Sequence, residues 1–146
     1  MKDSGAAFKK LTDIMDSLMS DDGCPWDKVQ TRKSLKPYLL EETYETLEAL
    51  DSNNPDAIKD ELGDLLFQII FHAKISSQKK EFDIQDVVEN ISEKMVRRHP
   101  HVFDQGNLTT PDQVVVQWEE IKKKEKGQEN RKSALDGIPK SSPALK

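Results

Sequence analysis

Asn54-Pro55 supplies an N-cap and a first-turn proline for a helical run that continues to about Gln78. The first half of this run is amphipathic, but Leu65-Leu66-Phe67-Gln68-Ile69-Ile70-Phe71-His72-Ala73 is apolar almost all round. A helix of that kind must be covered on more than one side. Strands are poor candidates for the cover. Glycine is sparse, at six residues, and no stretch alternates apolar and polar positions for long. Charged residues at 34% and aromatics at 6% also favour solvated helices over a β-sandwich. The expectation is an all-α fold. The apolar run is then either an interface between copies of the chain or a central core helix within one copy.

Four further helices are expected around it. Phe8, Leu11, Ile14, Met15 and Leu18 recur at three- and four-residue spacing, predicting a helix from about Ser4 to Met19. Ser20-Asp21-Asp22-Gly23 breaks it, and Cys24-Pro25-Trp26-Asp27 reads as a loop. A second helix is predicted from near Ser34, with Pro37 in its first turn, to near Asp51. Asp83 and Asp86 open another that ends before Pro100. Thr110-Pro111-Asp112-Gln113 is a capping-box pattern for the last, which Gly127 closes. The reading is one helical domain over residues 1–127 and a tail or linker stub over residues 128–146, where prolines, serines and charges replace any apolar face.

The 146 residues suit one domain, and their net charge of −5 argues against a nucleic-acid-binding surface. An acidic protein attracts a phosphate-bearing ligand only through a bound cation or a local basic cluster. Cys24 is the single cysteine, which excludes an internal disulfide and a cysteine-rich zinc cage. Nothing after Met1-Lys2 resembles an apolar leader, and no run of eighteen apolar residues occurs, so a cytoplasmic protein without membrane association is expected.

The chemistry-bearing residues are carboxylates. Glu42 and Glu45 on the second helix, and Glu61 and Asp64 on the third, are pairs spaced three apart, so each pair projects to one side of its helix. Wheels drawn at about 100° per residue place Glu42 at the edge of a buried stripe of Leu39, Leu40, Thr43, Leu47 and Leu50. Glu61 borders a stripe of Ile58, Leu62, Leu65 and Ile69. Packed antiparallel, the two helices would gather four carboxylates at one rim. Such a cluster repels itself unless a cation neutralises it, and hard oxygen ligands suit magnesium or manganese. One such pair alone ordinarily marks a solvated helix face in a chain this charged. Two pairs on successive helices, fifteen residues apart, point further toward a metal site. Gly63, between Glu61 and Asp64, would permit close approach by a neighbouring helix or ligand, and costs about 1 kcal/mol in a helix relative to alanine.

A second constellation lies on the fourth helix, where Asn90, Lys94 and Arg97 share one flank and could read phosphate. Taken alone, they fit equally an amphipathic helix whose basic end complements its dipole. His72 reads as a core histidine, and His99 and His101 lack the glutamate spacing of a di-iron bundle. Phosphate-binding glycine loops and nucleophile elbows are absent from the sequence.

Together, Gly23-Cys24-Pro25-Trp26-Asp27, Pro37-Tyr38-Leu39-Leu40-Glu41-Glu42, Glu61-Leu62-Gly63-Asp64-Leu65-Leu66-Phe67-Gln68 and Arg97-Arg98-His99-Pro100-His101-Val102-Phe103 resemble the MazG-type nucleoside triphosphate pyrophosphohydrolases, over roughly residues 8–145. The chain is similar to the first module of members that carry two in tandem. The resemblance implies a four-helix-bundle-like all-α fold, dimeric or higher, that cleaves a nucleoside triphosphate to the monophosphate and pyrophosphate. It implies magnesium held by Glu42, Glu45, Glu61 and Asp64, a base among Glu41, Glu42 and Glu45, and phosphate contacts from Lys94 and Arg97. Two alternatives stay open: an enzyme narrowly selective for one deoxynucleotide, and a helical nucleotide-binding module that has lost turnover.

Overall fold

The computed structural model describes residues 1–125, and all regular structure among them is helical. In chain order the helices are α1 (Ser4–Leu18), α2 (Pro25–Lys28), α3 (Arg32–Ser52), α4 (Pro55–Gln78), α5 (Ile84–Arg98), α6 (Pro100–Phe103) and α7 (Pro111–Lys124). The expected all-α class is borne out. The expected tail and Gly127 lie outside the described residues.

Local chemistry explains the boundaries. Asp3 caps α1 by accepting from the Ala6 amide at 3.0 Å. Thr31 and Ser34 form a reciprocal capping box at the start of α3, so that helix begins earlier than expected and Pro37 stands inside it. Asp83 and Asp86 exchange the same pair of bonds at the head of α5, at 3.0 and 2.9 Å. Thr110 and Gln113 repeat the device for α7. Each cap of this kind contributes about 1 kcal/mol. The segment read as a loop at Cys24-Pro25-Trp26-Asp27 contains the short helix α2, which Pro25 can open because its missing N–H needs no partner there. Gly23 is required at the turn before it: a Cβ would fall 2.2 Å from the Leu18 carbonyl oxygen.

The chain divides into two compact units, residues 1–89 and the residues from 90 onward. The first owns the core. Met15, Met19, Leu35, Ile70, Phe71 and Ile75 are buried together, with Phe8, Leu11, Phe67 and Ile84 packed against them. Burial of each large side chain stabilises by about 1.5–3 kcal/mol. α4 packs against both α1 and α3. In the second unit, α6, α7 and the end of α5 bury no side chain fully. Polar and aromatic contacts hold them instead. The Arg98 guanidinium lies 5.3 Å from the Trp118 ring centre, His99 meets the same ring edge-on at 5.0 Å, and His101 pairs with Gln117 at 3.0 Å. None of the described helices is long and apolar enough to cross a membrane.

Candidate metal centre

The connection between α3 and α4 is two residues long, Asn53 and Asn54. Asn53 takes the left-handed conformation, φ 55°, which asparagine tolerates better than most side chains. The Asn54 amide donates to Ser52 Oγ at 3.2 Å, and its side chain caps α4 by accepting from the amides of Asp56 and Ala57. α4 therefore folds straight back along α3. Thr46 fixes the register, donating to its own helix at Glu42 O, 2.7 Å, and across to Glu61 O at 3.3 Å.

The face that α3 buries is not the one its leucines suggest. Leu35, Thr46 and Ala49 are buried and Leu39 half-buried, while Leu40, Leu47 and Leu50 are exposed. At about 100° per residue Glu42 falls inside the buried stripe, between Ala49 and Leu35, rather than at its edge. α4 behaves alike: Glu61, Leu65, Gln68 and His72 share a half-buried face, while Leu62, Leu66 and Ile69 are exposed. Glu42 and Glu61 turn inward, and a row of leucines points out.

Two carboxylate groupings result. Ligand oxygens of Glu42, Glu45 and Glu61 lie within 4.8 Å of one another, and so do those of Asp60, Glu61 and Asp64. Glu61 belongs to both. Three of the expected ligands thus converge directly, and Asp64 joins them through Glu61. Asp60 was not expected. Its signal was in the sequence, since it stands four residues before Asp64 and shares that side of the helix. Glu41 is exposed and belongs to neither grouping. Gly63 has open space where its side chain would be, so no neighbour among the described residues makes the close approach expected there.

The electrostatics are those of an unneutralised cluster. Burial, then the charges of Glu45 and Asp64, push the Glu42 carboxyl up to about 7. Glu61 is raised for the same reasons, burial first. The Glu45 carboxylate stands close to both. Even so, Glu42 Oε2 and Glu61 Oε2 are buried with no partner. Orphaned carboxylate oxygens are costly unless something cationic meets them, and an all-oxygen donor set suits a hard divalent ion. The residues fit a metal.

Farther along the same face of α4, Gln68 Oε1 and His72 Nε2 are also buried without partners, so His72 is not the satisfied core histidine the sequence suggested. Burial and the nearby Arg32 hold its imidazole below the usual range. A cleft of about 570 Å³ between α1, α4 and the head of α5 is lined by Phe8, Met15, Ile70, Ile84 and Val88, and by none of the motif carboxylates. Trp26 packs edge-on against Tyr38 at 5.5 Å.

The expected phosphate-reading residues belong to the second unit. Asn90 is exposed and Lys94 half-buried. Arg97 donates through Nε to Glu125 at 3.2 Å, beside Arg98, which takes the same carboxylate with two bonds.

Residues 30–103 match the family described as the MazG nucleotide pyrophosphohydrolase domain. The chain is 47% identical, over 99% of its length, to the nucleoside triphosphate pyrophosphohydrolase/pyrophosphatase MazG of Thermotoga maritima, covering 55% of that protein. It is 46% identical, over 93% of its length, to the nucleoside triphosphate pyrophosphohydrolase of Escherichia coli K12, covering 52%. The chain thus spans about half the length of these curated relatives. Among solved structures, the crystal structure of a mazG-related protein from Thermotoga maritima superposes with a TM-score of 0.66 at 26% identity, over 80% of this chain and 99% of that one. With half of its residues inside the family's domain and an all-helical fold shared with that crystal structure, the chain belongs to the MazG nucleotide pyrophosphohydrolase domain family.

Proposed function

We propose that this chain hydrolyses nucleoside triphosphates to nucleoside monophosphate and pyrophosphate, with magnesium, or manganese in its place, held by Glu42, Glu45, Glu61 and Asp64. The observation that carries this reading is the pair of buried, partnerless oxygens on Glu42 and Glu61, two residues whose carboxylates approach within 4.8 Å on packed helices. The names of the curated relatives support the reaction. Bound at these oxygens, a divalent ion offsets phosphate charge and acidifies water.

The remaining chemistry belongs to the chain. Glu45, beside Glu42 and Glu61, or the exposed Glu41, accepts a proton from the attacking water. The water oxygen bonds to the α-phosphorus as the bridge to the β-phosphate breaks. Lys94 and Arg97, with Asn90 as a hydrogen-bond donor, balance the charge that collects on the departing pyrophosphate.

The working form is a homo-oligomer. Leu40, Tyr44 and Leu47 on α3, and Leu62, Leu66 and Ile69 on α4, stand exposed in the single chain, an apolar surface of the kind that marks protein interfaces. Sedimentation should give a particle of at least twice the 16.7 kDa chain mass. The function is tested by resolving the products from each canonical nucleoside and deoxynucleoside triphosphate. Monophosphate and pyrophosphate, abolished by EDTA and by Glu42→Gln, are expected. Their absence for every nucleotide would reject the reading.

A further inference from the structure

Arg97, Arg98 and Glu125 form the tightest charged arrangement among the described residues of the second unit. Arg98 grips the carboxylate as a fork, Nε to Oε1 at 3.2 Å and Nη2 to Oε2 at 2.7 Å, and Arg97 Nε adds a third bond to Oε1 at 3.2 Å. A guanidinium fork accepts a phosphate in the same way. The terminal nitrogens of Arg97 have no other partner among the described residues, and its side chain is 54% exposed. They remain available to a group with more oxygens than a carboxylate.

The position of Glu125 is unusual for an acid. It is the C-cap residue of α7, directly after Lys122, Lys123 and Lys124, where the helix dipole favours cations. Its backbone there is extended, ψ 145°, so the side chain sits where the chain leaves the helix. The arginines account for its inward place, and they hold its carboxyl down at about 2. Arg98, in contrast, is placed independently of it. Arg98 is stacked on Trp118 and mostly buried, and Lys94 stands one turn earlier on the same helix. The other acid acting on Arg98, Glu119, is engaged by Lys122 at 3.2 Å. One carboxylate therefore answers two guanidinium groups.

We infer that Arg97 and Arg98 form a polyphosphate site whose resident occupant is Glu125, so that Glu125 and the phosphates of substrate or product compete for the same guanidinium nitrogens. This rests on the phosphate-contact role proposed above for Arg97 and adds Arg98 and an internal competitor to it. Binding at this site opens the end of α7 from α5, and loss of the phosphates recloses it.

The test uses the full 146-residue chain, with sodium tripolyphosphate and pyrophosphate as probes, followed by calorimetry. Glu125→Gln should bind tripolyphosphate at least about fivefold more tightly than wild type, since a neutral amide competes poorly for guanidinium. Arg97→Gln/Arg98→Gln should bind it much more weakly than either. Carbon NMR of the wild-type Glu125 carboxyl gives a readout that needs no variant. Its titration should move from about 2 toward the ordinary value of about 4.3 at saturating tripolyphosphate. Equal affinity for wild type and a folded Glu125→Gln, or an unmoved Glu125 titration at saturation, would overturn the competition while leaving the arginines as phosphate contacts. Unchanged affinity in the double arginine variant would overturn the phosphate site itself. Neither result touches the carboxylate centre, whose own failure shows as activity surviving in Glu42→Gln. A larger gain for pyrophosphate than for tripolyphosphate in Glu125→Gln assigns the competition to product, and the reverse assigns it to substrate.

Discussion

Glu42 and Glu125 are the same side chain at similar depth, and their carboxyls stand at about 7 and about 2. Around Glu42 the neighbours are Glu45, Asp64 and Glu61, and two buried carboxylate oxygens find no donor. Around Glu125 they are Arg98 and Arg97, and every oxygen is bonded. The first site gathers negative charge and lacks a counterion; the second already contains one. Hydrophobic packing explains neither difference, because the acid-bearing unit also has the core, whereas the described helices of the second unit have no fully buried side chain. A stable core is what allows the first unit to hold mutually repelling groups together. The second is organised by its ion pairs.

The contrast can be broken most strongly at Glu42. Glu42→Gln should lower divalent-dependent hydrolysis by more than about 100-fold, beyond the 10–100-fold usual for disturbing an outer-shell partner, while circular dichroism stays helical. Activity within a few-fold of wild type would show that the orphaned oxygens serve no cation.

The stability consequences should carry opposite signs at the two sites. Arg98→Gln leaves a carboxylate that is only 19% exposed without its main partner, and should destabilise by about 1–3 kcal/mol in urea unfolding. Glu42→Gln should do the reverse for metal-free protein, raising the melting midpoint by a few degrees because a like charge is removed. Midpoints shifting in the same direction would undo the comparison.

pH separates the two further. For Glu42 the folded value lies above the unfolded one, so the stability of metal-free protein falls as pH rises from about 4.3 to about 7, then levels. His72 works against this up to about 6.5, since its folded form resists protonation, and subtracting the Glu42→Gln curve removes that contribution. Glu125 is depressed, so its contribution is complete above about 4.3 and disappears as pH falls through about 2. Thermal melts across pH 2–8 should show the first slope vanish in Glu42→Gln and the second in Glu125→Gln. The smallest expected effect is at Gly63, where open space should let Gly63→Ala stabilise the chain by about 0.5–1 kcal/mol. A loss instead would place a second copy of the chain against that helix.

Much of this was legible in the residues. Capping pairs such as Thr110 with Gln113, and Asn54 before Pro55, marked helix ends because their chemistry is local. The carboxylate spacing marked the centre for the same reason. The rotation of α3 was not legible. Counting apolar residues put Leu40, Leu47 and Leu50 inside, but α3 turns Thr46 and Ala49 to the closest approach and leaves those leucines exposed. Small residues let the two backbones meet, and a wheel weighted by hydrophobicity hides that. Arg98 and Glu125 were missed because they are 27 residues apart and only the turn at Pro100 and the capped start of α7 bring them together.

The two-residue turn at Asn53 and Asn54 has a kinetic corollary. All the carboxylates of the centre fall within one helical hairpin, from Glu42 to Asp64, so no distant segment must find its place before they meet. Closing so short a loop costs little chain entropy, and hairpins of this sort assemble among the earliest events available to a helical protein. Divalent ions could therefore engage the chain while the remainder is still collapsing, acting as a template for the register that Thr46 later locks. Refolding with magnesium present should speed up the fast phase, not merely deepen the final minimum.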